Sequence, residues 1–225
     1  YSLLPKILDL CVRVPMPNLA VENLVKFIES SRARETFLDL FLDNEKFLEL
    51  LLILFGSSDL LSQILITSPD LMDVLLAVES IYRFKTPEKT AAELMENLNA
   101  RSDIDAKKTF LRQFKNAEEL RIGIRYLIKE TDLPGTLDDL SALADIYLGA
   151  VLRIAFDEAG RQFGARARDM DDFAIFGLGK LGGRELNFGS DLDIVFIHDE
   201  PFSKTTQLPP EEIVTYYVAV SQMIY

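Results

Sequence analysis

Cysteine and histidine each occur once, as Cys11 and His198. A lone cysteine rules out an internal disulfide and suits a reducing, cytoplasmic setting. Cys11 reads as a small buried apolar residue in a helix. Positive charge is also scarce: 24 Lys and Arg stand against 36 Asp and Glu, a formal net charge of −12. Nucleic-acid binding rests on Lys and Arg neutralising phosphates, so such a balance argues against a nucleic-acid partner, although it leaves room for a local basic patch. No apolar run reaches the roughly 20 residues that span a bilayer, so no membrane partner is expected. The opening Tyr1-Ser-Leu-Leu-Pro5 has neither a basic n-region nor a start methionine and reads as part of a longer chain.

What is present is apolar mass in helical order. The chain has 225 residues, 48% of them hydrophobic, enough for a real core. From residue 1 to about 165 the pattern is helical nearly throughout. Gly56 marks a stop after Leu50–Phe55, and Ser57-Ser58-Asp59 can cap the next helix. Ser68-Pro69-Asp70 and Thr86-Pro87-Glu88 repeat the cap-then-proline device. Two longer helices are predicted, from about Ile104 to Glu130 and from about Leu137 to Phe163. Thr136 is the expected cap of the second and Gly164 its stop. Phe110, Phe114, Ala117, Leu120, Ile124 and Leu127 form one apolar stripe on the first. Arg112, Lys115, Arg121 and Arg125 read as a solvated face paired with Glu118 and Glu119. The 166–172 segment passes from basic to acidic and holds little apolar mass, so the domain junction is placed there.

Beyond the junction the period changes. Phe173–Phe176 and Ile194–Ile197 read as buried strands, and Pro209-Pro210-Glu211-Glu212 opens an amphipathic helix carrying Ile213, Tyr216, Tyr217, Val220 and Ile224. The predicted class is therefore α+β and mostly helical. A helical domain over 1–165 is followed over 166–225 by the opening, incomplete part of an α/β domain.

Between the strands lies Gly177-Leu-Gly-Lys-Leu-Gly-Gly-Arg-Glu-Leu-Asn-Phe-Gly-Ser190, then Asp191-Leu-Asp193. The second strand is expected to open with these aspartates, whose carboxylates would share a face, since side chains two apart do so. Neighbouring like charges call for a cation, and magnesium takes one or two carboxylates plus substrate phosphates. Gly179, Gly182 and Gly183 would let backbone approach a triphosphate, with Lys180 or Arg184 neutralising it and Ser190 orienting the turn into the strand. On the residues alone a plainer reading stands beside this one: the glycines form a hairpin and the aspartates end a turn. Gly177-x-Gly179-x-x-Gly182 also matches a dinucleotide-binding fingerprint, with Asp199 at the expected distance. Yet the stretch from Gly183 to Ser190 is too short for the crossover helix that parallel strands need. A P-loop fails because Lys180 lacks the following Ser or Thr. His198 falls on the opposite face from the acidic pair, and Glu185 is a candidate loop-stabilising acceptor.

The glycine-to-aspartate block resembles the signature of the nucleotidyltransferase superfamily, with Gly182-Gly183 as its small pair. More narrowly, it resembles the glutamine synthetase adenylyltransferases (glutamate–ammonia-ligase adenylyltransferases). Leu111–Ile122 and Ser68–Leu75 are similar to helical segments of that family. The resemblance implies a bifunctional enzyme with two similar halves. One transfers AMP from ATP to a tyrosine of glutamine synthetase, and the other removes it by phosphorolysis. Glutamine and nitrogen-regulatory PII proteins set the direction. It further implies Asp191 and Asp193 as magnesium ligands and Gly179, Lys180, Gly182, Gly183 and Ser190 as the nucleotide-binding turn. The lead-in before Arg32-Ala-Arg34 looks more like the adenylylating half than the removing one. The family's third carboxylate lies on a later strand outside this chain, so the segment alone is expected to be inactive. The alternative from another class is a non-catalytic helical module that docks glutamine synthetase or a PII protein.

Overall fold

A computed structural model describes residues 3–76, 85–163, 172–198 and 209–224. It is mostly helical with one small sheet, the α+β class expected. Gly164 and nearly all of the 166–172 segment lie outside the described residues, as does Asp199. Contacts divide the chain into two units, residues 1–85 with 112–136 and residues 86–111 with 137–225.

The first unit begins with helices α1 (Leu3–Cys11), α2 (Pro17–Ser30), α3 (Arg34–Asp43), α4 (Glu45–Ser57) and α5 (Asp59–Thr67). Their joints are set by side-chain caps: Asn44 accepts from the Phe47 N–H, and Ser58 accepts from the Leu61 N–H. Phe27, Phe41, Phe47 and Phe55 are buried with Leu48, Leu51 and Leu52. Phe27 meets Phe55 at 5.9 Å between ring centroids, and Phe41 meets Phe47 at 6.2 Å. Such aromatic pairs add to the energy of area burial. Buried Cys11 ends α1, as expected.

Two expectations here need correcting. Gly56 does not stop α4, which runs on to Ser57. Its value is close approach: a Cβ there would lie 3.1 Å from the Met16 carbonyl oxygen. Ser68 makes no side-chain cap, because Pro69-Asp70-Leu71 forms a 3-10 turn. That turn leads into α6 (Met72–Leu76), and Thr86 does cap α7 (Pro87–Asn99).

Helix α8 (Ile104–Leu127) places Arg112 onward in the first unit. Phe114, Leu120 and Ile124 of the predicted stripe are buried, but burial is not confined to that stripe. Every residue from Glu118 to Arg125 is buried, so Glu118, Glu119, Arg121 and Arg125 do not form a solvated face. The predicted pairing survives burial: Arg121 donates to Glu118 at 2.8 Å and Lys115 to Glu119 at 2.8 Å. Glu118 also binds Lys85 at 2.6 Å. Burial of charge is tolerable because the carboxylate and its cations neutralise each other.

Helix α9 (Leu133–Phe163) starts a turn earlier than predicted. Asp132, not Thr136, caps it, accepting from the Gly135 N–H at 2.9 Å, and Pro134 fits the first turn. The second unit takes α9 from Leu137 onward, with strands β1 (Phe173–Gly177) and β2 (Ile194–His198), the one-turn helix α10 (Gly179–Gly182) and α11 (Pro210–Ile224). The strands pair antiparallel, Phe173 opposite His198 through to Gly177 opposite Ile194. Phe156 of α9, Phe173 of β1 and Ile213, Tyr216, Tyr217 and Val220 of α11 share one buried cluster. The stripe predicted for α11 is the face that packs.

No single described helix is long and apolar enough to cross a membrane. One pair, α4 with α5, passes that test only together and is bent by 120°.

Candidate functional site

Alternation along the two strands sorts their side chains. Phe173, Ile175 and Phe196 belong to the buried cluster or pack against it. Ala174, Phe176, Val195 and Ile197 are exposed on the other face. His198 shares the parity of Phe196 and stacks on Tyr217 at 4.9 Å between ring centroids, so it points away from the acidic pair.

Asp191-Leu192-Asp193 precedes β2 and does not open it, since the ladder ends at Gly177 opposite Ile194. The physical reason is that the partner strand turns off into α10, leaving the aspartates no ladder to join. One bond extends the contact, from the Leu178 N–H to the Asp193 carbonyl at 2.7 Å. The alternation nevertheless persists: Asp191 and Asp193 are exposed and Leu192 is half-buried. Both carboxylates thus fall on the parity of Val195 and Ile197.

The glycine stretch is a compact turn. Gly182 donates its N–H to the Leu178 carbonyl, Gly183 to Gly179, and Glu185 to Lys180 at 2.7 Å. Leu178 offers the first turn of α10 no side-chain cap. Gly179 takes φ +51, and a Cβ there would lie 2.7 Å from Asp193 Oδ2. The turn and the second aspartate are therefore in contact. At Gly182 a Cβ would sit 2.5 Å from the Gly177 carbonyl oxygen, whereas at Gly183 its nearest neighbour would be at 3.4 Å. Lys180 is exposed on this turn. Ser190 closes a second turn by donating its N–H to the Asn187 carbonyl at 3.1 Å. Gly189, at φ +66, takes the position where a type II turn needs glycine.

Arg184 is placed differently from Lys180. Its Nε donates to Asp138 Oδ1 at 2.5 Å, and its guanidinium also reaches Asp145 Oδ2 at 3.4 Å. The hydrogen bond to Asp138, with the nearby charges of Asp138 and Asp145, raises the arginine's pKa above its ordinary value. Leu186 is buried and donates its N–H to the Ser141 hydroxyl at 3.2 Å. Asp138, Ser141 and Asp145 were not singled out from sequence. Their spacing of three then four residues marks one polar stripe on α9, a signal visible only once a partner is known.

Antiparallel pairing removes the dinucleotide-fold reading, which requires parallel strands joined by a crossover helix. A short glycine turn beside exposed aspartates at the mouth of a small sheet remains. Residues 48–225 match the family model described as glutamate-ammonia ligase adenylyltransferase. The chain belongs to this adenylyltransferase family. Among curated relatives, the bifunctional glutamine synthetase adenylyltransferase/adenylyl-removing enzyme of Pseudomonas aeruginosa is 34% identical over 205 residues, 88% of this chain. That of Chromobacterium violaceum is 32% identical over 200 residues, also 88% of this chain, and that of Idiomarina loihiensis 31% over 228 residues, 99% of it. The chain spans only 22%, 21% and 24% of the Chromobacterium, Pseudomonas and Idiomarina adenylyltransferases respectively.

Among the described residues no group of three or more His, Cys, Asp or Glu is gathered as a metal site. The donor set at the turn is the carboxylate pair Asp191 and Asp193. Two exposed carboxylates suit magnesium, which completes its shell with water and phosphate oxygens.

Proposed function

We propose that this chain supplies the ATP-handling part of an AMP transfer whose acceptor is a tyrosine of glutamine synthetase, within a longer bifunctional protein. The observation that carries this reading is the contact between the Asp193 carboxylate and Gly179, with Asp191 exposed on the same parity. It sets acidic oxygens against a turn that backbone alone can line. Asp191 and Asp193 would hold magnesium, which when bound neutralises phosphate charge and aligns the α-phosphate for displacement. Gly179 and Gly182 keep the turn tight, and Lys180 offers an exposed cation for phosphate oxygens. Gly183 and Ser190 complete the path from turn to strand. The relatives, which couple adenylylation of glutamine synthetase with adenylyl removal, support glutamine synthetase as the acceptor protein. Of the two activities, adenylylation is the one assigned here. Regulation by glutamine and PII proteins belongs to the same reading of the longer protein.

The test is Asp191→Asn and Asp193→Asn in the full-length protein, with glutamine synthetase and labelled ATP. Each should lower transfer by at least about a hundredfold, since metal ligation contributes several kcal/mol to the transition state. Circular dichroism should stay unchanged. Transfer within about threefold of the unmodified protein, on that same scale of tenfold per 1.36 kcal/mol, would remove both residues from the site.

A further inference from the structure

The AMP-transfer reading leaves Asp138, Ser141 and Asp145 without a role, although all three hold the segment that follows the glycine turn. Arg184 stands at φ +55, a left-handed conformation unusual for a non-glycine residue. Such a backbone persists where its surroundings over-determine it. Here the surroundings are specific. The guanidinium reaches both the carboxylate and, at 3.5 Å, the main-chain carbonyl of Asp138. Asp145, two helical turns further along α9, takes another of its nitrogens. Two residues on, the Leu186 N–H is fixed by a hydroxyl that is itself fully buried and tied to the Leu137 carbonyl at 2.8 Å. Two anchors thus bracket Glu185, whose N–H closes the turn on Lys180.

The geometry points to Arg184 as a positioning residue, with Asp138, Ser141 and Asp145 of α9 as the seat that fixes the glycine turn in its nucleotide-ready shape. Its charge is spent on α9, and the cation left for phosphate is Lys180. The ion pairs are half exposed, with side-chain exposures of 49% for Arg184, 60% for Asp138 and 58% for Asp145. Exposed pairs contribute little to global stability, so the seat should act locally. This inference rests on the proposed nucleotide site only for its consequence, not for its geometry.

The experiment uses the full-length protein with Asp138→Asn/Asp145→Asn, Arg184→Gln and the swap Arg184→Asp/Asp138→Arg. Hydrogen exchange is followed over residues 178–187, and magnesium-ATP affinity is measured in parallel. The seat predicts exchange about fivefold faster in the Asn double variant, the order expected for losing exposed pairs. It also predicts weaker ATP binding, and partial recovery of both readouts in the swap. Unchanged exchange would overturn the seat. So would ATP affinity that is kept or tightened in the Asn variant yet lost in Arg184→Gln, because Arg184 would then be contacting phosphate itself. Faster exchange in a protein whose unmodified form binds no ATP would uphold the seat and sink the nucleotide reading.

Discussion

The Asp193 carboxylate rests against Gly179, so closely that a Cβ on the glycine would lie 2.7 Å from Oδ2. Gly179 also sits at φ +51, where an L side chain costs roughly 1–2 kcal/mol. Gly179→Ala must therefore strain the turn and push the carboxylate aside together. Transfer by the full-length protein should fall about tenfold or more, one such factor corresponding to 1.4 kcal/mol. The loss should appear in turnover at saturating ATP as well as in KM. A variant with normal turnover would show that the position of Asp193 does not matter to the reaction.

Gly182 and Gly183 are adjacent and yet should respond oppositely. A Cβ at Gly182 would meet backbone, the Gly177 carbonyl oxygen at 2.5 Å, and neither partner is a flexible side-chain end. Gly182→Ala should cost about 1–3 kcal/mol through forced backbone shifts. At Gly183 the closest atom would be an ordinary contact at 3.4 Å, and substitution there should stay within about 0.5 kcal/mol. Urea unfolding of the two variants side by side decides it. Equal losses would mean that the pair acts through flexibility and not through the close approach at Gly182.

Why one glycine and not the other is critical could not be read from sequence, because the contact partner lies across the turn. The same limit explains the other misses. Period and β-branching located β1, β2 and the packing face of α11, because those signals are local. Burial of Arg121 and Arg125 was missed because charge patterning assumes solvent around a helix, and here the surroundings close over residues 118–125. The cap of α9 was misplaced because Asp132 and Thr136 both fit the sequence rule, and only geometry chooses. The aspartates were correctly assigned to one shared face but wrongly to the ladder. Alternation is a property of extended backbone, whereas pairing needs a partner strand that has already turned away. Asp138 and Asp145 lie 46 and 39 residues from Arg184, beyond any spacing rule.

Cys11 offers a check on the first unit. Burial raises its thiol pKa above the ordinary value, so the native state holds that proton more tightly than the unfolded chain. Its contribution to stability is complete below the unfolded thiol's pKa and is lost as pH rises towards the higher native one. The stability difference between the unmodified protein and Cys11→Ala should therefore shift against the cysteine between about pH 8 and pH 10, around the ordinary thiol value. A thiol reagent at pH 8 should react with native Cys11 more than about tenfold slower than in denaturant, because the thiolate is the nucleophile and access is blocked. Equal rates would place Cys11 on the surface.

Glu118 is the balancing charge of the first unit, receiving Lys85 at 2.6 Å and Arg121 at 2.8 Å with its own side chain only 9% exposed. Glu118→Ala removes the carboxylate that Lys85 and Arg121 share in a largely buried setting, and breaking a buried pair in this way costs about 3–5 kcal/mol. Arg13 and Glu49 supply the control. Their side chains are 67% and 36% exposed, so Arg13→Ala should cost less than about 1 kcal/mol. If the loss at Glu118 comes from orphaned charge and not from a missing contact, replacing Glu118, Arg121 and Lys85 together by apolar residues of similar volume should recover most of it. Urea unfolding of the three variants separates the cases. A triple variant no more stable than Glu118→Ala would mean that packing, and not charge balance, makes the residue necessary.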